Sequence, residues 1–165
     1  MRLLITMTLL LSTSIALGDP GGQNFKASLS GYQEVPTIST AGEGELQLSV
    51  NNADTEITYT LSYSGLEGGA VLAAHIHLGQ RATNGGVAAF FCGGGGKPAC
   101  PASGSVSGTI VAADVVGPAS QGIAAGQIGE LIRAIRAGVT YANVHTIMWP
   151  GGEIRGQVRD KDEQN

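Results

Sequence analysis

Charge is scarce in this chain. Lysine and arginine number 9 and aspartate and glutamate 13 among 165 residues, for a formal net charge of −4. A chain so poor in basic residues is unsuited to a phosphate backbone, and nucleic acid is excluded as an expected partner. Apolar runs of membrane-spanning length are also missing after the N-terminus, so no membrane insertion is expected of the mature protein. The one polyglycine run, Gly93–Gly96, is followed by Lys97-Pro98 and not by Lys-Ser/Thr, which rules out a P-loop. No serine stands in a nucleophile-elbow setting. Cysteine is limited to Cys92 and Cys100, and histidine to three residues.

Glycine, serine, threonine, valine and alanine dominate instead. That composition suits many short strands joined by turns. At the N-terminus, Met1-Arg2 is followed by an apolar stretch from Leu3 to Leu11 and by the small residues of Ala16-Leu17-Gly18. This is the pattern of a secretory signal peptide, residues 1–18, with cleavage near Gly18-Asp19. Its loss removes one arginine and takes the formal charge from −4 to −5. The expected mature product is a soluble secreted or periplasmic domain. Residues 19–24 read as a flexible lead-in, 25–159 as one domain and 160–165 as a charged tail. Lys161-Asp162-Glu163 lacks the final leucine of an endoplasmic-reticulum retention signal. In an oxidising compartment Cys92 and Cys100 are expected to pair as a disulfide across a glycine-rich loop, in preference to a two-cysteine metal site.

The period of the hydrophobic pattern changes along the chain. Phe25–Leu29, Glu45–Val50 and Glu56–Tyr63 alternate apolar and polar residues, with an Asn51-Asn52-Ala53-Asp54 turn joining the last two into a hairpin. In that hairpin Ile57, Tyr59, Leu61 and Tyr63 are expected to pack with Leu46, Leu48 and Val50. Further strands are predicted at Ala74–Leu78, Val87–Phe91, Ser105–Val111, Thr140–Met148 and Glu153–Arg159. Between them, Ile128, Leu131, Ile132 and Ile135 follow helical spacing and predict one short helix over 127–137, ended by Gly138. Its arginines, Arg133 and Arg136, read as a solvated face. The expected fold is all-β, a sandwich of seven or eight strands with one short helix.

All three histidines fall in strands. His75 and His77 are one residue apart, so they share a face, while Ala74, Ile76 and Leu78 point to the other. His145 lies far downstream in Tyr141-Ala142-Asn143-Val144-His145-Thr146. Three neutral imidazoles suit copper or zinc, and copper stands ahead in the divalent affinity order. The plainer reading of the same residues is hydrogen-bonded polar side chains at a sheet edge. If they do form one site, their nitrogens are expected within about 3–4 Å of one another. Glu34 is a candidate fourth ligand and Arg155 a candidate for the surroundings of the metal. Glu153 reads as the partner of an arginine on the sheet surface.

Four segments taken together, Gly31-Tyr32-Gln33-Glu34-Val35-Pro36, Ala74-His75-Ile76-His77, Tyr141–Thr146 and Pro150-Gly151-Gly152-Glu153-Ile154-Arg155-Gly156-Gln157, resemble the CHRD domain family in the same order. The resemblance spans about residues 25–159 and implies export and an all-β, immunoglobulin-like sandwich. It implies no particular activity. The His-x-His strand is also similar to copper/zinc superoxide dismutase, another β-sandwich. Three histidines are too few for that enzyme's two-metal centre, which leaves a mononuclear site. The functional expectations are therefore an exported domain holding one copper or zinc ion, a non-catalytic module for an extracellular protein partner, or a superoxide-dismutase-like redox metalloenzyme. Mass spectrometry of exported protein should find residues 1–18 missing, within a few residues; retention of Met1 would contradict the signal-peptide reading.

Overall fold

The computed structural model describes residues 23–161. The signal peptide, its cleavage point, most of the lead-in and residues 162–165 of the tail lie outside them. The strands are β1 (Gln23–Ser30), β2 (Glu43–Val50), β3 (Ile57–Ser64), β4 (Val71–Leu78), β5 (Gly86–Cys92), β6 (Gly104–Ile110), β7 (Thr140–Thr146), β8 (Ile154–Gln157) and β9 (Arg159–Asp160). A single α-helix, α1 (Ile128–Arg136), falls within the stretch predicted for it. Several predicted bounds differ: β4 begins at Val71 and not Ala74, β7 ends at Thr146 and not Met148, and the Glu153–Arg159 strand divides into β8 and β9. β1 takes in Gln23 and Asn24, assigned above to the lead-in, and Asp160 of the supposed tail pairs with Phe25.

Every pairing is antiparallel, and the strands run in the order β5-β4-β7-β8-β1-β2-β3-β6, with β9 beside β1. Two four-stranded halves are thus joined in one sheet. The join is narrow, since β1 and β8 pair only through Ser30 and Arg155. About that seam the sheet curls until its outermost strands, β5 and β6, come into contact. The result is a nearly closed, sandwich-like barrel made of one continuous sheet. Closure leaves few free strand edges, which antiparallel folds must otherwise protect.

The predicted hairpin has the expected register, with Leu46 opposite Leu61, Leu48 opposite Tyr59 and Val50 opposite Ile57. All six are buried in the core. Their alternation with exposed Thr58, Thr60 and Ser62 is what a strand with one wet face requires. Across the interior, Tyr59 packs on Phe91 with ring centroids 4.9 Å apart, and its hydroxyl donates to the Phe91 carbonyl at 2.8 Å. That contact ties β3 to β5, from opposite halves. Leu131, Ile132 and Ile135 bury one face of α1 in the same core. On its other face, Arg136 forms a two-point ion pair with Asp54, at 2.6 and 2.7 Å, in the β2–β3 turn. So one of the two helix arginines pins a hairpin; Arg133 stays exposed beside Glu130. Gly138 follows the helix with φ +67°, a conformation that suits glycine at this position.

Cys92 and Cys100 form a disulfide between the end of β5 and the approach to β6. Two of the glycines it encloses, Gly94 and Gly95, lie against the Phe90 ring, and a Cβ on either would come within 3 Å of that ring. Replacing both cysteines by alanine should therefore free the loop and lower unfolding stability by about 2–3 kcal/mol, by chain entropy for a loop of this length. Thermal denaturation checks this, and an unchanged midpoint would refute it.

Candidate metal centre

The faces of β4, β7 and β8 that turn away from the core are not bare. In β4, Ala74 and Ile76 enter the core while His75 and His77 point outward. In β7, Ala142 and Val144 enter the core, leaving Tyr141, Asn143 and His145 on the outer side. In β8, Ile154 enters and Arg155 does not. Each outward residue is nevertheless buried, at 8 % exposure or less. The cover comes from loops: residues 31–42, 79–85 and 147–153. This second buried layer is polar, so its hydrogen bonds must be met within it.

Register brings the histidines together. His77 lies opposite Tyr141 and Ala73 opposite His145, with His75 opposite Asn143 between them. The ring centroids of His75 and His77 are 4.5 Å apart, and those of His75 and His145 are 4.3 Å apart. One nitrogen from each ring falls in a group whose members all lie within 4.8 Å of one another. That spread is wider than the 3–4 Å expected of a filled site, so a bound ion requires the rings to turn inward. Among the described residues the three histidines form the one such group of ligand side chains. Glu34 is not part of it. Its carboxylate is taken by the Asn143 amide, so the suggested fourth ligand is not brought to the centre.

The surrounding carbonyls decide which nitrogen of each ring is free. His77 Nδ1 lies 2.9 Å from the Gly85 carbonyl and His145 Nδ1 2.9 Å from the Pro150 carbonyl. A carbonyl only accepts, so both Nδ1 atoms carry the proton and both Nε2 atoms keep a lone pair. His75 Nδ1, 2.7 Å from His77 Nε2, then donates to it. His145 Nε2 is buried and bonded to nothing among the described residues. Burial, helped by the charges of its neighbours, holds His75 down to about 2 and His77 to about 4, and burial holds His145 low as well. All three rings are neutral at physiological pH, the form in which imidazole binds a metal.

Tyr141 supports the centre from behind. Its ring stacks on His77 at 4.6 Å and 2°, and the Arg155 guanidinium lies 3.5 Å from the ring centroid. The two arrive from the neighbouring strands β4 and β8. Arg155 makes no hydrogen bond to a histidine. It donates to the carbonyls of Gln80 and Thr83 and to Asn84 Oδ1, which clamps the loop carrying Gly85. Phe90, opposite His75 in β5, meets that ring edge-on at 5.1 Å. Behind Glu34, Gly152 sits at φ +126° with no room for a Cβ, which would fall 2.6 Å from Glu34 Oε1.

Glu153 departs from the expected role. It is fully buried and, among the described residues, meets no arginine within ion-pair distance. It accepts from Thr40 Oγ1 at 2.8 Å and from the backbone of Glu67 and Gly68, at 2.6 and 3.0 Å. It is a buried tie between two loops, because an extended strand end places it beneath them. Tyr141, Asn143 and Gln157 were not singled out as partners of the site. Their alternation with Ala142, Val144 and the core residues of β8 was the available signal.

A family model described as CHRD domain matches residues 25–158. The chain belongs to the CHRD domain family. No curated protein and no solved structure matches it. Of the four CHRD segments, the first supplies Glu34, the second His75 and His77, the third Tyr141, Asn143 and His145, and the fourth Arg155 and Gln157. The family's motifs therefore converge on one face of this domain.

Desolvation raises Glu34 to about 7 from an ordinary value of 4.5, against the lowering effect of Asn143 and of the Arg155 charge. Its neutral form is favoured on folding, so this contribution is complete below pH 4.5 and is lost as pH rises to about 7. Relative to Glu34→Gln, metal-free wild-type protein should lose on the order of 2 kcal/mol across that window, water in the adjoining cleft screening part of the full shift. The histidine contributions run the opposite way and are common to both proteins. Urea denaturation at a series of pH values reads the difference, and a pH-independent gap would refute it.

Proposed function

We propose that this CHRD domain is an exported metal-binding protein that holds one copper or zinc ion through His75, His77 and His145. The observation that carries the reading is the buried lone pair on His145 Nε2, which has no partner among the described residues, on a ring grouped with two further neutral imidazoles whose ligand atoms lie within 4.8 Å. A buried acceptor left unpaired is costly, and a cation answers it. Two of the rings are oriented by carbonyls on their second nitrogen, as metal-binding histidines commonly are. The third, His75, binds as the other tautomer, its proton moving from Nδ1 to Nε2 so that the ring stays neutral and Nδ1 faces the ion. Bonds of about 2 Å then set the nitrogens of His75 and His77 about 3.3 Å apart.

Copper stands ahead of zinc in this reading by the divalent affinity order. Three ligands leave one position for water or a small molecule. One ion held by three histidines, with redox turnover as an added activity, is the form in which the superoxide-dismutase comparison survives. The two four-stranded halves are compatible with the immunoglobulin-like or dismutase-like sandwich that the sequence suggests. Export is supported by the Cys92–Cys100 disulfide, since such bonds persist in oxidising compartments.

Metal-free protein dialysed against copper or zinc should take up one ion per chain, measured by elemental analysis. His77→Ala and His145→Gln should each abolish stoichiometric uptake while the sheet signal in circular dichroism is kept. Because burial holds all three rings below the ordinary histidine value of 6.5, uptake should hold from pH 8 down to about 6.5. No uptake by wild-type protein, or unchanged uptake by both variants, would refute the proposal. Superoxide consumption by the copper form above that of free copper would add the redox role.

A further inference from the structure

A cleft of about 210 Å³ opens beside the histidine layer, between the segment carrying Tyr32 to Thr37 and the loop carrying Arg81. Arg155 and Gln157 also line it. Its chemistry is unbalanced in two ways. The first is charge. Arg155 is 2 % exposed, yet it donates only to the neutral oxygens of Gln80, Thr83 and Asn84 among the described residues. Among the described residues it has no carboxylate within ion-pair distance, and Glu34 turns Oε1 to Asn143 instead. Arg81, exposed on the rim, has neither a hydrogen bond nor an ion pair among the described residues. Glu34 lines the same cleft and its charge acts on Arg155 without reaching ion-pair distance, so the guanidinium remains a buried cation that an anion would relieve.

The second imbalance is a missing donor. Gln157 commits both Nε2 hydrogens, to the Gly79 carbonyl at 3.0 Å and the Gly138 carbonyl at 2.9 Å. Turning the amide over would set oxygen against two carbonyl oxygens, so the orientation is settled by its partners. Its Oε1 is then a buried acceptor to which nothing among the described residues donates, on a residue 7 % exposed. The complement of this cleft is a molecule with a carboxylate for the guanidinium groups and an adjacent O–H for Gln157. Tyr32, 70 % exposed at the rim, offers a ring face to the ligand's carbon chain.

We propose that this cleft binds a small hydroxycarboxylate, its carboxylate held by Arg155 and Arg81 and its hydroxyl donating to Gln157. The volume suits an acid of about three to six carbons. The site is separate from the histidine centre, so the test uses metal-free protein and stands whether or not a metal binds. Isotope-labelled protein in low-salt buffer is titrated with L-lactate, propionate and methyl lactate, and amide shifts are followed by NMR. Lactate should give saturable shifts around residues 32–37, 81–82 and 155–157. Propionate, lacking the hydroxyl, should bind about fivefold more weakly, and the uncharged ester should not bind. Arg81→Ala, on the exposed rim, should weaken lactate about tenfold without altering the rest of the spectrum. Absence of saturable shifts up to about 50 mM lactate would overturn the proposal. So would equal binding of the ester, of propionate or of inorganic sulfate, or full affinity in Arg81→Ala.

Discussion

Tyr141 is held between an imidazole and a guanidinium, and the polar side of the domain is arranged around that contact. His77 reaches it from β4 and Arg155 from β8. Neither partner is independent of the loops. Arg155 clamps the loop whose Gly85 carbonyl orients His77, and the Gly85 amide donates to the Tyr141 hydroxyl at 3.1 Å. One stack therefore sets the ring plane of a metal-ligand candidate and the position of the carbonyl that selects its free nitrogen. It does so on strands, which hold side chains more firmly than loops do.

The domain thus has two buried layers of opposite character on the two sides of β4, β7 and β8. The inner one is aliphatic and aromatic and is assembled by area alone. The outer one consists of histidines, an asparagine, an arginine and a glutamate, and can be buried only if its donors and acceptors are matched. Most are. Loop carbonyls serve His77, His145, Arg155 and Gln157, and Glu153 ties down two of the neighbouring loops by accepting three hydrogen bonds. The exceptions carry the functional argument. His145 Nε2 and Gln157 Oε1 are both buried acceptors with nothing to accept from among the described residues, and each marks where an outside group would complete the layer. The same burial keeps the imidazoles neutral, the form in which they would hold a cation.

Much of this was legible in residue order. Period-two alternation identified the hairpin of Glu45–Val50 and Glu56–Tyr63 and the faces of His75 and His77, because a strand has no other way to place consecutive side chains. Helical spacing located α1 for the same kind of reason. Glu153 was misread, because its local pattern matches any strand residue with an outward carboxylate. Its actual partners are Thr40, Glu67 and Gly68, a long way off in sequence. Glu34 shows the same limit. Its motif marks it as special, but only the fold reveals that Asn143 engages it.

The sequence by itself determined the local facts: which segments are extended, which is helical, that His75 and His77 share a face, and that the chain carries the CHRD motifs. These depend on backbone geometry between near neighbours and survive any arrangement of the strands. The tertiary structure alone decided that β7 lies between β4 and β8, and so that His145 joins the other two histidines. It also decided that the two four-stranded halves join in one curled sheet, and that three loops bury the outer face. Those outcomes depend on strand order and loop paths, which are selected by the packing of the whole core and leave no trace in the period of any single segment.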